Sequence, residues 1–169
     1  MTALTVADPP VPQQQAASAQ YLSFMLGQDM FAMGILAVRE ILEYAGVTPV
    51  PQMPPSISGV INLRGTAVPV LDLARRLGRE PSAIGKRTCI IVVEVEGDDG
   101  PFVIGILVDA VNAVLEILAT DIEPAPRFGA VTADLLNGIG KVQGRFVLLL
   151  NVRHVVSTLH LQEFVAQIH

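Results

Sequence analysis

The 169-residue chain is predicted to be mainly β: two five-stranded β-barrel subdomains packed together, with a C-terminal α-helix. Three observations predict this. Gly and Pro divide the chain into short apolar stretches of strand length. The composition is 51% hydrophobic but only 5% aromatic, with no tryptophan, so the core must be built from Val, Ile, Leu and Ala. The chain is also written twice. GVINLRGTAVPVLDLARRL from Gly59 lies over GIGKVQGRFVLLLNVRHVV from Gly138, so that Gly59 meets Gly138, Gly65 meets Gly144 and Asp72 meets Asn151. Upstream, FAMGIL at Phe31 matches FVIGIL at Phe102, and PVP at Pro49 matches PAP at Pro124. Matches in the same order indicate two copies of one supersecondary plan.

The elements follow in order. Residues 1–19, MTALTVADPPVPQQQAASA, are rich in Pro, Gln and Ala and are expected to form a disordered tail. They lack the basic and apolar regions of a secretory signal. YLSFMLG is an apolar strand, GQD a turn, and MFAMGI its hairpin partner. Val38–Tyr44 and Val47–Val50 extend the meander to the QMPPSIS connection. GVINL and TAVPVLDL form a hairpin around Arg64 and Gly65, where a left-handed backbone favours glycine. In the second copy CIIVVEVEG, the turn DDG and PFVIGILVD repeat the first hairpin, and VNAVLEI, IGKVQG and FVLLLNV complete the set. About five strands per copy fit a small closed barrel each. A copy of ~70 residues is marginal alone, so the two are expected to share a packed interface. Asp72 and Asn151 each end a strand and suit helix N-caps. Val152, Val155, Val156 and Leu159 fall on one helical face, and 158–169 is read as a helical extension latching onto a barrel.

Several function classes are disfavoured. The net charge is −5 without a basic block, and the aromatics stand in apolar strand patterns rather than beside cations, so nucleic-acid binding is not expected. The longest apolar runs, Ile90–Val93 and Phe146–Leu150, are too short to cross a bilayer, so no direct membrane insertion is expected. One cysteine, Cys89, excludes an internal disulfide framework and fits a cytoplasmic protein. Set within TCIIVV, it reads as a buried packing residue. His154 and His160 are six apart and do not share a helical face, and no metal-binding spacing occurs. Glu94, Glu96, Asp98 and Asp99 read as solvated charge at a strand edge and its turn. No catalytic constellation, metal or cofactor is expected.

The segments YLSFMLGQDMFAMGILAVREI, VINLRGTAVPVLDL and GILVDAV, with DIEPAP ahead of the last hairpin, resemble the CheW family over residues 20–157. That family's fold is a pair of intertwined five-stranded barrels resembling SH3 domains. The resemblance implies a non-catalytic chemotaxis adaptor with two partners: the regulatory domain of a CheA-type histidine kinase and the cytoplasmic tip of a chemoreceptor. A coupling protein of another chemosensory pathway, such as type IV pilus motility, would carry the same motifs. Carried over by position, Ile35, Val38, Glu40 and Arg64 match receptor-binding positions, and Ser58 and Gly59 are the candidate kinase contacts.

Arg64 interrupts an apolar run, and a guanidinium must reach water or a carboxylate. The internal repeat acts as a control: Gln143 replaces Arg64 in the second copy and Lys141 replaces Asn62, so the barrel plan does not itself demand a cation at this turn. Glu40, the lone carboxylate within VREIL, is the expected partner. The pair is expected at the edge of the first barrel, orienting the receptor and kinase surfaces. The competing reading is an exposed ion pair without a binding role.

Overall fold

The computed structural model describes residues 17–97, 100–125 and 134–157. The expected helical extension 158–169 and the first sixteen residues of the expected tail lie outside the described residues. The tail boundary itself moves: Ser18 already opens the first strand, paired with Leu118. The strands are β1 (Ser18–Leu26), β2 (Asp29–Gly34), β3 (Val38–Glu43), β4 (Ile57–Leu63), β5 (Thr66–Asp72), β6 (Cys89–Gly97), β7 (Gly100–Val108), β8 (Ala110–Leu118), β9 (Ile122–Glu123), β10 (Leu136–Val142) and β11 (Arg145–Leu150). Two short helices, α1 (Leu73–Arg76) and α2 (Val152–Ser157), each follow the last strand of a copy. Their caps are the expected ones. Asp72 Oδ1 accepts the Ala74 N–H at 3.1 Å, and Asn151 Oδ1 accepts the His154 N–H at 3.0 Å.

Two sheets form, in the orders β8-β1-β2-β11-β10-β9 and β3-β6-β7-β5-β4. The repeat's reading of one barrel per copy is therefore corrected, whereas the intertwined barrels that the family resemblance implied are what form, one sheet having six strands rather than five. Each sheet takes its first hairpin from one copy and its remaining strands from the other. β2 lies parallel to β11, and β7 lies parallel to β5. Parallel neighbours cannot be joined by a tight turn, so such pairs must come from distant segments. The crossing point in the first copy is the 3-10 turn Ile35–Ala37, which carries the chain from β2 in one sheet to β3 in the other.

Strand alternation explains why the exchange is favourable. Along β6, Ile90 and Val92 fill the interior of their own barrel, while Ile91, Val93 and Val95 point the other way. The same split occurs in β11, where Val147 and Leu149 face the barrel interior and Leu150 faces outward from it. All the outward-facing sets converge on one shared core between the barrels, with Leu22, Phe24, Met33, Ile104 and Ile106 at its centre. Strands buried on both faces read as continuous apolar runs, as IIVV and VLLL do. Each large aliphatic side chain so buried contributes about 1.5–3 kcal/mol.

Polar side chains repair the irregular points. A bulge interrupts the β1–β8 register between Leu22 and Phe24, and the buried Ser23 hydroxyl there donates to the Ala113 carbonyl at 2.8 Å and accepts the Ala113 N–H at 3.2 Å. Buried Asp72 accepts Ser82 N–H and Oγ–H as well as its cap bond, which pins the loop after α1. Two expectations shift. Val47–Val50 is not a strand; Thr48 alone bridges to Val60. Cys89 is half-buried at the first position of β6, because the chain enters the sheet from an exposed loop there.

That Thr48–Val60 bridge and the Glu123–Ile139 pair of β9 and β10 are the same feature in the two copies. Each presses a backbone carbonyl onto a glycine. A Cβ on Gly138 would stand 2.7 Å from the Glu123 carbonyl oxygen, and one on Gly59 would overlap the Thr48 carbonyl. We expect Gly59→Ala and Gly138→Ala each to lower unfolding stability by about 1–3 kcal/mol. The check is the urea midpoint at an unchanged denaturant slope; wild-type midpoints would show that the contact yields freely.

Candidate functional site

The barrel built on β3-β6-β7-β5-β4 has β3 and β4 as its two edges, with no ladder between them. Glu40 projects from β3, and Arg64 stands on the turn leaving β4. The two meet: Arg64 Nη1 donates to Glu40 Oε1 at 3.3 Å and Arg64 Nη2 donates to Glu40 Oε2. The expected pair therefore exists, and it clasps the open seam of a barrel whose central hairpin comes from the second copy. A two-pronged guanidinium–carboxylate contact fixes orientation as well as distance. Beside it, Arg39 of β3 pairs with Glu94 of β6, so Glu94 is an ion-pair member rather than simple solvated charge. Below the clasp, a 410 Å³ cleft opens between the edges, lined by Leu42, Val47, Thr48, Val60 and Ile61.

Backbone geometry places Arg64. Leu63 pairs with Thr66, leaving a two-residue loop in which Arg64 has φ 50° and Gly65 φ 89°. Two successive left-handed residues make the type I′ turn that matches strand twist. Asn62 Oδ1 accepts the Gly65 N–H at 2.7 Å and stiffens it. The second copy repeats the turn with Gln143 at φ 52° and Gly144 at φ 78°. Left-handed backbone is therefore a property of the hairpin in both copies, and only the carboxylate partner is special to the first.

The electrostatics agree. The Glu40 carboxyl is held below the usual glutamate range, chiefly by the hydrogen bond from Arg64 and further by the charges of Arg64 and Arg39. The Arg64 guanidinium is pushed up by the same hydrogen bond and charge.

Ile35 and Val38 lie where the chain crosses between sheets. Both are half-buried and pack on the shared core from outside, as Val111 of β8 does. Next to them stands a residue that sequence reasoning missed: Leu36 is 98% exposed. Its counterpart in the matched hexapeptide is Leu107, only 3% exposed inside β7. The shared motif FAMGIL/FVIGIL reads as strand in both copies, so no local signal separates them. The difference is tertiary, because β2 stops at Gly34 to change sheets while β7 runs on. A 670 Å³ groove at this junction is lined by Tyr21, Ile35, Leu36, Leu150 and Val152, with Glu116 and Arg153 among its polar groups. Ile41 on β3 and Val114 on β8 add exposed apolar surface.

Ser58 and Gly59 lie toward the start of β4, away from its turn. Ser58 is half-buried, and Gly59 is buried against the Thr48 carbonyl, which accounts for the glycine without a partner. Neither is brought together with Ile35 and Val38 into one surface by any described contact.

A protein-family model described as a CheW-like domain matches residues 20–160. The chemotaxis protein CheW of Klebsiella aerogenes is 34% identical over 145 residues, covering 85% of each chain. Protein FrzA of Myxococcus xanthus is 32% identical over 147 residues, covering 86% of this chain and 89% of FrzA. Among solved structures, the scaffolding protein TtCheW of Thermoanaerobacter tengcongensis superposes with a TM-score of 0.73 at 30% identity, over 81% of this chain and 91% of that one.

Since the folded-state pKa of Glu40 is depressed, the pair's contribution is fully present above the ordinary glutamate pKa and is lost as pH falls through the folded value. Asparagine adopts left-handed backbone more readily than arginine. Arg64→Asn is therefore expected to keep or raise the melting temperature while the Glu40 carboxyl titrates at higher pH than in the wild type. An NMR titration of the Glu40 side chain checks this, and an unmoved Glu40 would mean the clasp does not exist in solution.

Proposed function

The chain belongs to the CheW-like domain family, and from that premise we propose that it is a non-catalytic chemotaxis adaptor joining chemoreceptors to a CheA-type histidine kinase on the cytoplasmic side. The observation that carries this reading is the junction face. A fully exposed leucine, a 670 Å³ groove with an apolar rim and a charge clasp lie on a body whose two barrels share one core. A body of that kind passes on geometry: it holds two partners at a fixed relation and needs no chemistry of its own. No helix among the described residues is long and apolar enough to cross a membrane.

In this reading Ile35 and Val38, with Leu36, receive the receptor tip, and Glu40 and Arg64 hold the edge of β3 in position beside it. Ser58 is the accessible member of the kinase pair, because Gly59 has no surface to offer. The kinase contact is taken to be its regulatory domain. Interfaces of standard size bury about 1,200–2,000 Å² in total, and weaker ones suffice where many copies act together in an array. The match to FrzA favours a second reading at the level of pathway: the same adaptor geometry serving a different chemosensory system.

Leu36→Asp leaves the fold alone, since the side chain is outside it, and is expected to weaken capture of a receptor cytoplasmic fragment by at least about tenfold. Kinase capture by the same variant should be unchanged, and Ser58→Arg should show the reverse pattern. Co-sedimentation with purified receptor fragment and kinase checks both. A wild-type protein that binds neither partner would sink the adaptor reading, and a Leu36→Asp protein that binds both normally would remove the junction face from it.

A further inference from the structure

The β10–β11 hairpin carries a surface that the receptor and kinase reading leaves unused. Phe146 is 63% exposed, and it stands directly across the ladder from Lys141, so the ring and the ammonium share one face of the ribbon. Arg145 precedes it at the turn and is also exposed. Among the described residues neither cation has an ion pair; the three pairs present involve Arg39, Arg64 and Arg79.

The first copy again serves as the control. Its equivalent hairpin has Asn62 and Ala67 where the second has Lys141 and Phe146, and its turn cation is tied to Glu40. The hairpin therefore folds without an aromatic or a free cation at these places. Burying a phenylalanine is worth about 1.5–3 kcal/mol, and this one forgoes most of that gain in the free protein. An unpaired lysine beside an exposed ring, with a second unpaired cation, Arg145, leaving the same turn on the ribbon's other face, also stands out on a chain whose net charge is −5. Exposed aromatics and arginines are the residue types that dominate binding energy at protein interfaces.

We propose that this hairpin end is a third docking surface, built for a protein segment that presents an apolar anchor side chain flanked by carboxylates. The ring takes the anchor, Lys141 beside it takes one acid, and Arg145, on the other face of the same turn, takes an acid that reaches round the hairpin end. A nucleic acid would also meet aromatic and cationic groups, but the remaining surface of an acidic chain repels a phosphate backbone. The proposal goes beyond the adaptor reading and does not depend on it, because the residues concerned lie outside the junction face and β4.

The test uses the full chain, ¹⁵N-labelled, and a synthetic glutamate-rich peptide with one central leucine as probe. The expected result is amide shifts at Lys141, Arg145 and Phe146. Affinity should fall at least about tenfold in Phe146→Ser and in the double variant Lys141→Glu with Arg145→Glu. The double variant keeps the ring, so it remains informative if Phe146→Ser folds poorly. Three results would overturn the proposal: no shift at the hairpin, equal binding of a peptide with serine in place of leucine, or stronger shifts at the same amides from phosphatidylserine vesicles or oligo-dT. Receptor and kinase capture by the double variant should match the wild type, which separates failure here from failure of the adaptor reading.

Discussion

The shared core between the barrels is the constraint on which the rest of the molecule depends. Five strands, β2, β5, β6, β7 and β11, bury residues both inside a barrel and in this common layer, so their side chains must be apolar in both directions. A small barrel of aliphatic residues has little room for large rings, which suits a chain with six Phe, two Tyr and no Trp. Where strands run closest, even a methyl group is excluded: a Cβ on Gly105 would stand 2.6 Å from Ile90 Cγ2 inside the barrel. Between the barrels, the shared apolar layer resists one barrel turning on the other.

Exchange of the hairpins adds a covalent reason for the same rigidity. Neither copy can keep its barrel without the other's first hairpin, so neither half is separable. The exchange is also anchored at its ends. Arg79, in the loop after α1, donates to the Leu26 carbonyl at 3.2 Å and pairs with Asp29 at 2.6 Å, gripping the turn of the β1–β2 hairpin from the opposite sheet's side. Its guanidinium lies 5.7 Å from the centre of the Phe31 ring, which is itself stacked on Phe24 at 5.8 Å. At the same turn, Asp109 Oδ2 accepts the Gly27 N–H at 2.7 Å from the end of β7. An adaptor that must hold two partners at a fixed relation benefits from a frame tied at several points.

Local features were legible in the amino-acid order because local chemistry determines them. Asp72 and Asn151 cap helices through their own side chains, Gly65 and Gly144 supply left-handed turns, and alternation marks the strands. The Glu40–Arg64 pair was legible too, since two isolated opposite charges in apolar surroundings need each other. What the repeat left hidden, and only the family resemblance implied, was pairing at a distance. A linear repeat shows that two copies exist but not which copy's edge receives which hairpin, because either assignment satisfies the same apolar pattern. The exposure of Leu36 was hidden for the same reason. In sequence it is indistinguishable from Leu107, and only the change of sheet at Gly34 turns it outward. The reason for Gly59 was hidden as well: its glycine is required by the Thr48 carbonyl, a contact made by a residue eleven positions earlier.

The duplication also supplies its own map of what the fold does not require. Where the copies agree, as at Gly59 and Gly138 or at the two left-handed turns, the shared geometry explains the residue. Where they disagree, the barrel plan tolerates either choice and something outside it must account for the difference. Three of the disagreements are Leu36 against Leu107, Arg64 against Gln143, and Phe146 against Ala67. Each places on the surface a group that its counterpart buries, omits or replaces by a neutral side chain. Arg64 is the most telling of the three. Its left-handed backbone costs the same in both copies, so the cation is not there to ease the turn. It is there to reach Glu40 across an open seam, and a closed seam keeps the edge strand β3 aligned next to the exposed leucine.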